Sequence, residues 1–220
     1  MEGFVDRGEA GRQLARSLRR YAGRADALVL ALPRGGVPVG YEVARGLDLP
    51  LDVFLVRKLG VPGREELAMG AIASGGVRVV NPEVVELLRI PAHVIDAVAA
   101  REEGELERRE RDYREDRPAP DVRGLTVILV DDGLATGSSM RAAVAALRRR
   151  KAARIVVGVP VSAAEACIDL RREVDEMVCL LTPRHFNAVG EWYQDFSQTT
   201  DSEVCELLAR AEREHASHVP

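Results

Sequence analysis

Short, nearly unbroken apolar runs recur along the chain at 27–32, 51–56, 126–130, 155–161 and 177–181. Each has the length of a strand and lacks regular polar alternation, the pattern of strands buried on both faces. Between them lie stretches with helical spacing: Leu14, Leu18 and Tyr21, residues 38–45, residues 138–150, and Val204, Leu207, Leu208 and Ala211. Asp6 with Glu9, Ser162 with Glu165, and Thr200 with Glu203 have the spacing of capping boxes that open three helices. Strands alternating with helices predict an α/β fold, a mainly parallel sheet flanked by helices.

Three segments depart from that rhythm. Gly75-Gly76 separates apolar runs at 69–74 and 77–80 and predicts a hairpin. Residues 58–68 hold two glycines, a proline and four charges, and predict an exposed, mobile loop. A helical insertion at about 82–117 breaks at Pro91, with Val94, Ile95, Val98 and Leu106 on one face and Tyr113 continuing it. Its mixed charges at 101–117 are read as a solvated face with i,i+4 ion pairs, in preference to a partner-binding helix. Arg117-Pro118-Ala119-Pro120 then links the insertion to the next strand. Residues 1–220 are expected to form one domain, closed by a small hood and C-terminal helix at about 182–216.

Composition narrows the function classes. Of 220 residues, 46% are apolar and 30% charged, which supports a packed core. Thirty-one Lys+Arg against 35 Asp+Glu give a net charge of -4, contrary to the basic surplus of a general nucleic-acid binder. A local basic pocket for a small anion remains open. No apolar run reaches membrane-spanning length, and the first residues lack a secretory pattern. Cys167, Cys179 and Cys205 are odd in number and widely spaced, which excludes a disulfide framework and a Cys-x-x-Cys zinc site. They are read as small buried side chains, and the chain as a cytoplasmic protein with no nucleic-acid or membrane partner.

The chemistry concentrates in Val127-Ile128-Leu129-Val130-Asp131-Asp132-Gly133-Leu134-Ala135-Thr136-Gly137-Ser138-Ser139. A strand delivers two carboxylates at its carboxyl end, where open α/β sheets bind ligands. A small-residue turn then opens a helix whose first amides favour a phosphate. The carboxylates suit sugar hydroxyls or a divalent cation. A ligand with vicinal hydroxyls at one end and phosphate at the other is a ribose 5-phosphate. The missing Gly-Lys-Ser/Thr ending excludes a Walker loop.

At these residues the chain resembles the signature of the type I phosphoribosyltransferases for 5-phosphoribosyl 1-diphosphate (PRPP). The resemblance implies ribose-hydroxyl and Mg2+ roles for Asp131 and Asp132, and 5-phosphate binding by Ala135, Thr136, Gly137, Ser138 and Ser139. Gly133 departs from the family's usual aliphatic residue. Arg34-Gly35-Gly36 resembles the family's pyrophosphate loop; its glycines expose amides and Arg34 adds a guanidinium. Arg57-Lys58 either closes a strand with two surface cations or resembles the Arg-Lys that precedes a flexible catalytic loop. The resemblance thus implies pyrophosphate binding by Arg34, Gly35, Gly36, Arg57 and Lys58, with Arg34 and Lys58 catalytic. The N-terminal Asp-Arg-x-x-Ala-Gly pattern and the insertion resemble a bacterial subgroup without a settled substrate.

Phe186, Trp192 and Tyr193 lie in an aromatic-rich segment at 186–196. In the family a hood holds the nucleobase, so these rings either stack on a base or fasten the C-terminal helix to the sheet. The function implied is transfer of phosphoribosyl from PRPP with Mg2+ to a nitrogen nucleophile, releasing pyrophosphate; a homodimer is the family's habit. The alternative is a non-catalytic PRPP-sensing regulator on the same fold. A receiver-like or phosphatase module fits the Thr-Gly-Ser-Ser turn poorly. Ala135 stands where the family's 6-oxopurine enzymes commonly carry an aspartate, which points the acceptor toward adenine, a pyrimidine or a non-nucleobase amine. A gapped likeness of Phe186 and Val189-Gly190 to the 6-oxopurine hood points the other way and is less specific.

Overall fold

In the computed structural model of the protein, residues 3–114 and 117–217 are described. The apolar runs form a five-stranded parallel sheet in the order β2-β1-β6-β7-β8. Its members are β1 (Ala27–Ala31), β2 (Leu51–Val53), β6 (Thr126–Val130), β7 (Arg154–Val161) and β8 (Glu176–Leu181). Successive side chains of a strand point to opposite faces. Accordingly Val127 and Leu129 pack into one cluster with Met140, Val144 and Leu147 of α5 (Ser138–Arg149). Ile128 and Val130 enter the other, with Leu14 of α1 (Arg7–Ser17) and Val39 and Val43 of α2 (Gly36–Leu47). Helices on both faces explain why these strands tolerate no polar alternation.

The segment at 51–56 does not stay in one strand. β2 ends at Val53, and Val56 begins β3 (Val56–Val61) of a second sheet, ordered β3-β4-β5 and antiparallel throughout. The loop expected at 58–68 is therefore a hairpin. β3 pairs with β4 (Arg64–Ala73) through Lys58↔Ala71, Leu59↔Gly70 and Val61↔Arg64, with Pro62 and Gly63 at the turn. Its order comes from Leu59, Val61, Met69 and Ile72, all buried in one cluster with Val98, Ala99 and Leu106. Glycines and charges between those residues hide the alternation from a sequence reading. Gly75 and Gly76 make the expected turn into β5 (Val77–Val80), both at positive φ.

The insertion comprises α3 (Pro82–Leu87) and α4 (Ala92–Arg114). Its charged end is not wholly solvated. Arg114 is 3% exposed. It bonds Asp52 at 3.0 Å and the Val53 carbonyl at 2.8 Å, and forms an ion pair with Glu110 at 3.0 Å. The helix is thereby anchored to β2. Glu115 and Asp116, part of the charged stretch, lie outside the described residues.

Two of the three expected caps form: Asp6 accepts from the Glu9 amide and Thr200 from the Glu203 amide. Ser162 does not cap α6 (Ala164–Arg171). Its backbone still bridges Leu134, and its fully buried hydroxyl donates to the Ala163 carbonyl. Cys167 is buried, whereas Cys179 and Cys205 are only partly so; the sulfurs of Cys167 and Cys179 are 2.8 Å apart. The chain closes with a 3-10 turn (Val189–Trp192) and α7 (Asp201–Ala216), which packs against α2 and α4. Among the described residues no helix is long and apolar enough to cross a membrane.

Candidate active site

Sheet order locates the site. From β1 the chain moves outward to β2, whereas β6 lies on the other side of β1 and leads to β7 and β8. The β1–β6 boundary is thus a topological switch point, and the crevice at its carboxyl end is where such sheets bind ligands. The last paired residues there are Ala31 and Val130. The Leu32-Pro33-Arg34-Gly35-Gly36 loop follows one and the acid pair follows the other.

The two turns are in direct contact. A Cβ placed on Gly35 would lie 2.0 Å from Oδ2 of Asp132, and one on Gly36 would lie 2.9 Å from the Asp131 Cα. No residue with a side chain fits at Gly35 without displacing the carboxylate. The peptide between Pro33 and Arg34 is cis. Arg34 reaches toward Asp201 at the start of α7, at 3.8 Å. Asp201 also accepts the Tyr113 hydroxyl, and with burial this raises the pKa of that phenol.

Asp132 is held from several sides. Nε of Arg7 donates to its Oδ2 at 2.9 Å, and the Tyr193 hydroxyl donates to its backbone carbonyl at 2.6 Å. Asp131 Oδ1 accepts the Asp132 amide at 2.8 Å. Burial, reinforced by the charge of Asp132, holds the Asp131 carboxyl well above the usual carboxylate range. Burial raises Asp132 too, and Arg7 opposes it. The chain thus keeps two adjacent acids in a poorly solvated crevice and offsets one of them with its own cation.

After the acids, Gly133 sits where a Cβ would come within 2.6 Å of Val189 Cγ1. Val189 therefore fills the space that an aliphatic residue at 133 would occupy. Gly137 precedes α5 at φ 72°, a conformation favouring glycine. The hydroxyls of Thr136 and Ser138 are 3.0 Å apart, and Ala135, Thr136, Ser138 and Ser139 are exposed. This exposed helix start, whose Thr136 and Ser138 hydroxyls bond each other, is suited to a phosphate.

Arg57 and Lys58 lie inside β3 and do not end the second parallel strand as expected. Arg57 is paired with Glu102 of α4 at 2.7 Å. It lines a cavity of about 110 Å³ together with Leu32, Pro33, Asp131, Ser139 and Arg109. Lys58 lines an adjoining cavity of about 710 Å³ with Thr136, Ser138, Ser139 and Arg141. The two neighbouring cations therefore line different cavities, which meet at Ser139.

The rings divide. Trp192 and Tyr193 are buried in a cluster with Phe4, Ala10 of α1 and Val161 of β7, so they pack the hood against the N-terminal segment and the sheet, with no residue of α7 in the cluster. Phe186 packs at its edge, partly exposed. Sequence reasoning overlooked Arg7 and Arg109. The Asp-Arg-x-x-Ala-Gly pattern contained the first, with no hint of its partner 125 residues away.

Among the described residues no group of three or more His, Cys, Asp or Glu could hold a metal ion. Asp131 and Asp132 offer two carboxylates, one already paired with Arg7. That set fits Mg2+ carried largely on ligand phosphates, since this ion is commonly bound by one or two carboxylates with substrate oxygens.

Comparison with known proteins agrees with this geometry. Residues 62–194 match the model of the phosphoribosyl transferase domain. Two Mycobacterium tuberculosis proteins, from strains H37Rv and CDC 1551, are each named as a candidate phosphoribosyl transferase. Each is 46% identical over 216 residues, 98% of this chain and 48% of the relative. The chain thus spans about half the length of the curated relatives it matches. The crystal structure of TT1426 from Thermus thermophilus superposes with a TM-score of 0.84 at 42% identity, covering 94% of this chain and 98% of that one. AQ2163 from Aquifex aeolicus, 11% identical, shares the fold with a TM-score of 0.51 over 84% of this chain and 78% of its own. With the acid pair and the glycine loop meeting at the switch point of such a sheet, the chain belongs to the type I phosphoribosyltransferase family.

Proposed function

We propose that this chain transfers the phosphoribosyl group of PRPP, used with Mg2+, to a nitrogen nucleophile and releases pyrophosphate. One observation carries the reading: the Gly35-Gly36 loop packs directly on Asp131 and Asp132, one turn ahead of the open start of α5. Hydroxyl acceptors, an open helix start and a loop bearing a cation thereby share one crevice.

In this reading Asp131 and Asp132 accept hydrogen bonds from the ribose hydroxyls. Residues 135–139 hold the 5-phosphate through amides and hydroxyls. Arg34, the Gly35 amide, Arg57 and Lys58 stabilise the departing diphosphate, because donors fixed in advance need no reorganisation as charge develops; the Gly36 amide, expected to join them, instead donates to the Leu32 carbonyl at 3.1 Å. When bound, Mg2+ would neutralise diphosphate charge beside Asp131 and Asp132. The carbon–oxygen bond to pyrophosphate breaks, a carbon–nitrogen bond forms, and the nitrogen loses a proton. Ala135 cannot take that proton, so a purine needing a base at that place is disfavoured. Phe186 is the ring left for contact with an acceptor.

The test is pyrophosphate release from PRPP and Mg2+ across adenine, pyrimidines, hypoxanthine, guanine and simple amines. Release with adenine, a pyrimidine or an amine, and little with hypoxanthine or guanine, is expected. Tight PRPP binding without release for any acceptor would favour the sensing role; absence of PRPP binding would overturn both.

A further inference from the structure

Arg109 belongs to α4, yet it lines the same 110 Å³ cavity as Leu32, Pro33, Arg57, Asp131 and Ser139. Three features fit it to an anion there. First, its helix is fixed on both sides of it: Leu106 and Tyr113 are 1% and 3% exposed, and Arg114 is buried in its ion pairs. The guanidinium is therefore presented from a rigid element.

Second, its existing bond leaves it donors. Arg109 donates through Nε to Glu105 at 3.0 Å. A guanidinium has five N–H groups in a fixed fork, so its outer edge can serve a phosphate as well. Arg57 is held in the same way by Glu102, one turn earlier on α4. One helix thus supplies a cation and steadies another.

Third, the cations gather on one side of the crevice. Arg109 and Arg34 both act electrostatically on the Tyr113 hydroxyl, which bonds Asp201, the partner of Arg34. The larger cavity, with Lys58, Thr136 and Ser138, lies toward the start of α5 and meets the smaller one at Ser139. The two cavities share Val56 and Ser139, and only the smaller one reaches Asp131, Arg57 and Arg109.

We propose that Arg109 of the inserted helix is a further ligand for the diphosphate of PRPP, acting beside Arg57 and Asp131. This rests on the reading of the crevice as a PRPP site. The insertion then completes the leaving-group pocket in addition to covering the second sheet.

Calorimetric titration of the full chain with ribose 5-phosphate, inorganic pyrophosphate and PRPP, each with Mg2+, tests it. Arg109→Gln is expected to weaken pyrophosphate and PRPP binding about tenfold, the loss of one charge-assisted contact. Ribose 5-phosphate affinity should stay within about twofold, which also certifies the fold, and Arg109→Lys should recover part of the loss. Arg111→Gln, an exposed neighbour on α4, should change none of the three. Unchanged PRPP and pyrophosphate binding in Arg109→Gln, or equal loss for all three ligands, overturns the inference while leaving the PRPP site in place. Failure of the wild-type chain to bind PRPP overturns the site reading and the inference with it.

Discussion

Arg7 and Asp132 stand 125 residues apart, and two nitrogens of the guanidinium, Nε and Nη2, each lie 2.9 Å from the same carboxylate oxygen. The side chains are 11% and 14% exposed. Nη1 of Arg7 donates to the Ser197 carbonyl at 2.8 Å, and the guanidinium lies over the Phe196 ring, 3.9 Å from its centre. One arginine therefore ties the N-terminal helix, the acid pair and the hood together.

Removing this arginine should leave Asp132 poorly solvated and unpaired. Arg7→Gln is expected to cost about 2 kcal/mol of stability, somewhat below the 3–5 kcal/mol of fully buried pairs. Asp132→Asn should cost less, because it removes the charge that needs a partner. A double-mutant cycle by urea unfolding should give a coupling of about 1–3 kcal/mol. Strict additivity would contradict the pair's energetic role.

Asp131 presents the opposite case, a carboxyl whose site disfavours its ionised form. Its folded-state pKa is raised, so the folded chain binds a proton more tightly than the unfolded one. That contribution to stability is present below the ordinary carboxylate range and is lost as pH rises through the folded value. Asp131→Asn should therefore be more stable than wild type at neutral pH, with a higher Tm, and the gain should vanish toward pH 3. Its PRPP affinity should fall all the same. A variant less stable than wild type at pH 7 would refute this.

Gly133 and Val189 share one space, the Cβ of a substituted residue 133 lying 2.6 Å from Val189 Cγ1. Gly133→Ala should destabilise by about 1–3 kcal/mol through overpacking. In a Val189→Ala background the same substitution should cost less than half as much. Urea midpoints of the four proteins provide the comparison, and an equal cost in both backgrounds would argue against the contact.

The hairpin of β3 and β4 should exchange amide hydrogens unevenly. Leu59 and Met69 are fully buried, and their amides should be slow without ligand. Gly63, Arg64 and Glu65 at the exposed tip should be fast and slow down when PRPP is bound. Uniformly fast exchange through 56–73 would restore the loop that the composition suggests.

Much of this protein is readable from local pattern. Buried parallel strands announce themselves as continuous apolar runs because both faces are covered, and helix starts announce themselves as caps because unpaired amides demand an acceptor nearby in sequence. The acid pair and the Thr-Gly-Ser-Ser turn are legible for the same reason: strand end, turn and helix start are contiguous, so their chemistry is written in one string.

What tertiary structure alone decided is everything that depends on distant partners. The order of residues 58–68 comes from burial of Leu59, Val61 and Met69 against α4, which overrides the glycines and charges around them. The burial of Arg114 depends on Asp52, and the place of Arg109 on a loop more than 70 residues earlier. The Asp-Arg-x-x-Ala-Gly pattern makes physical sense only when folded: Asp6 caps α1, Arg7 meets Asp132, and Ala10 and Gly11 are buried. An ion pair across 125 residues leaves no periodic trace, because its stabilisation arises only when the sheet has brought both ends to one edge.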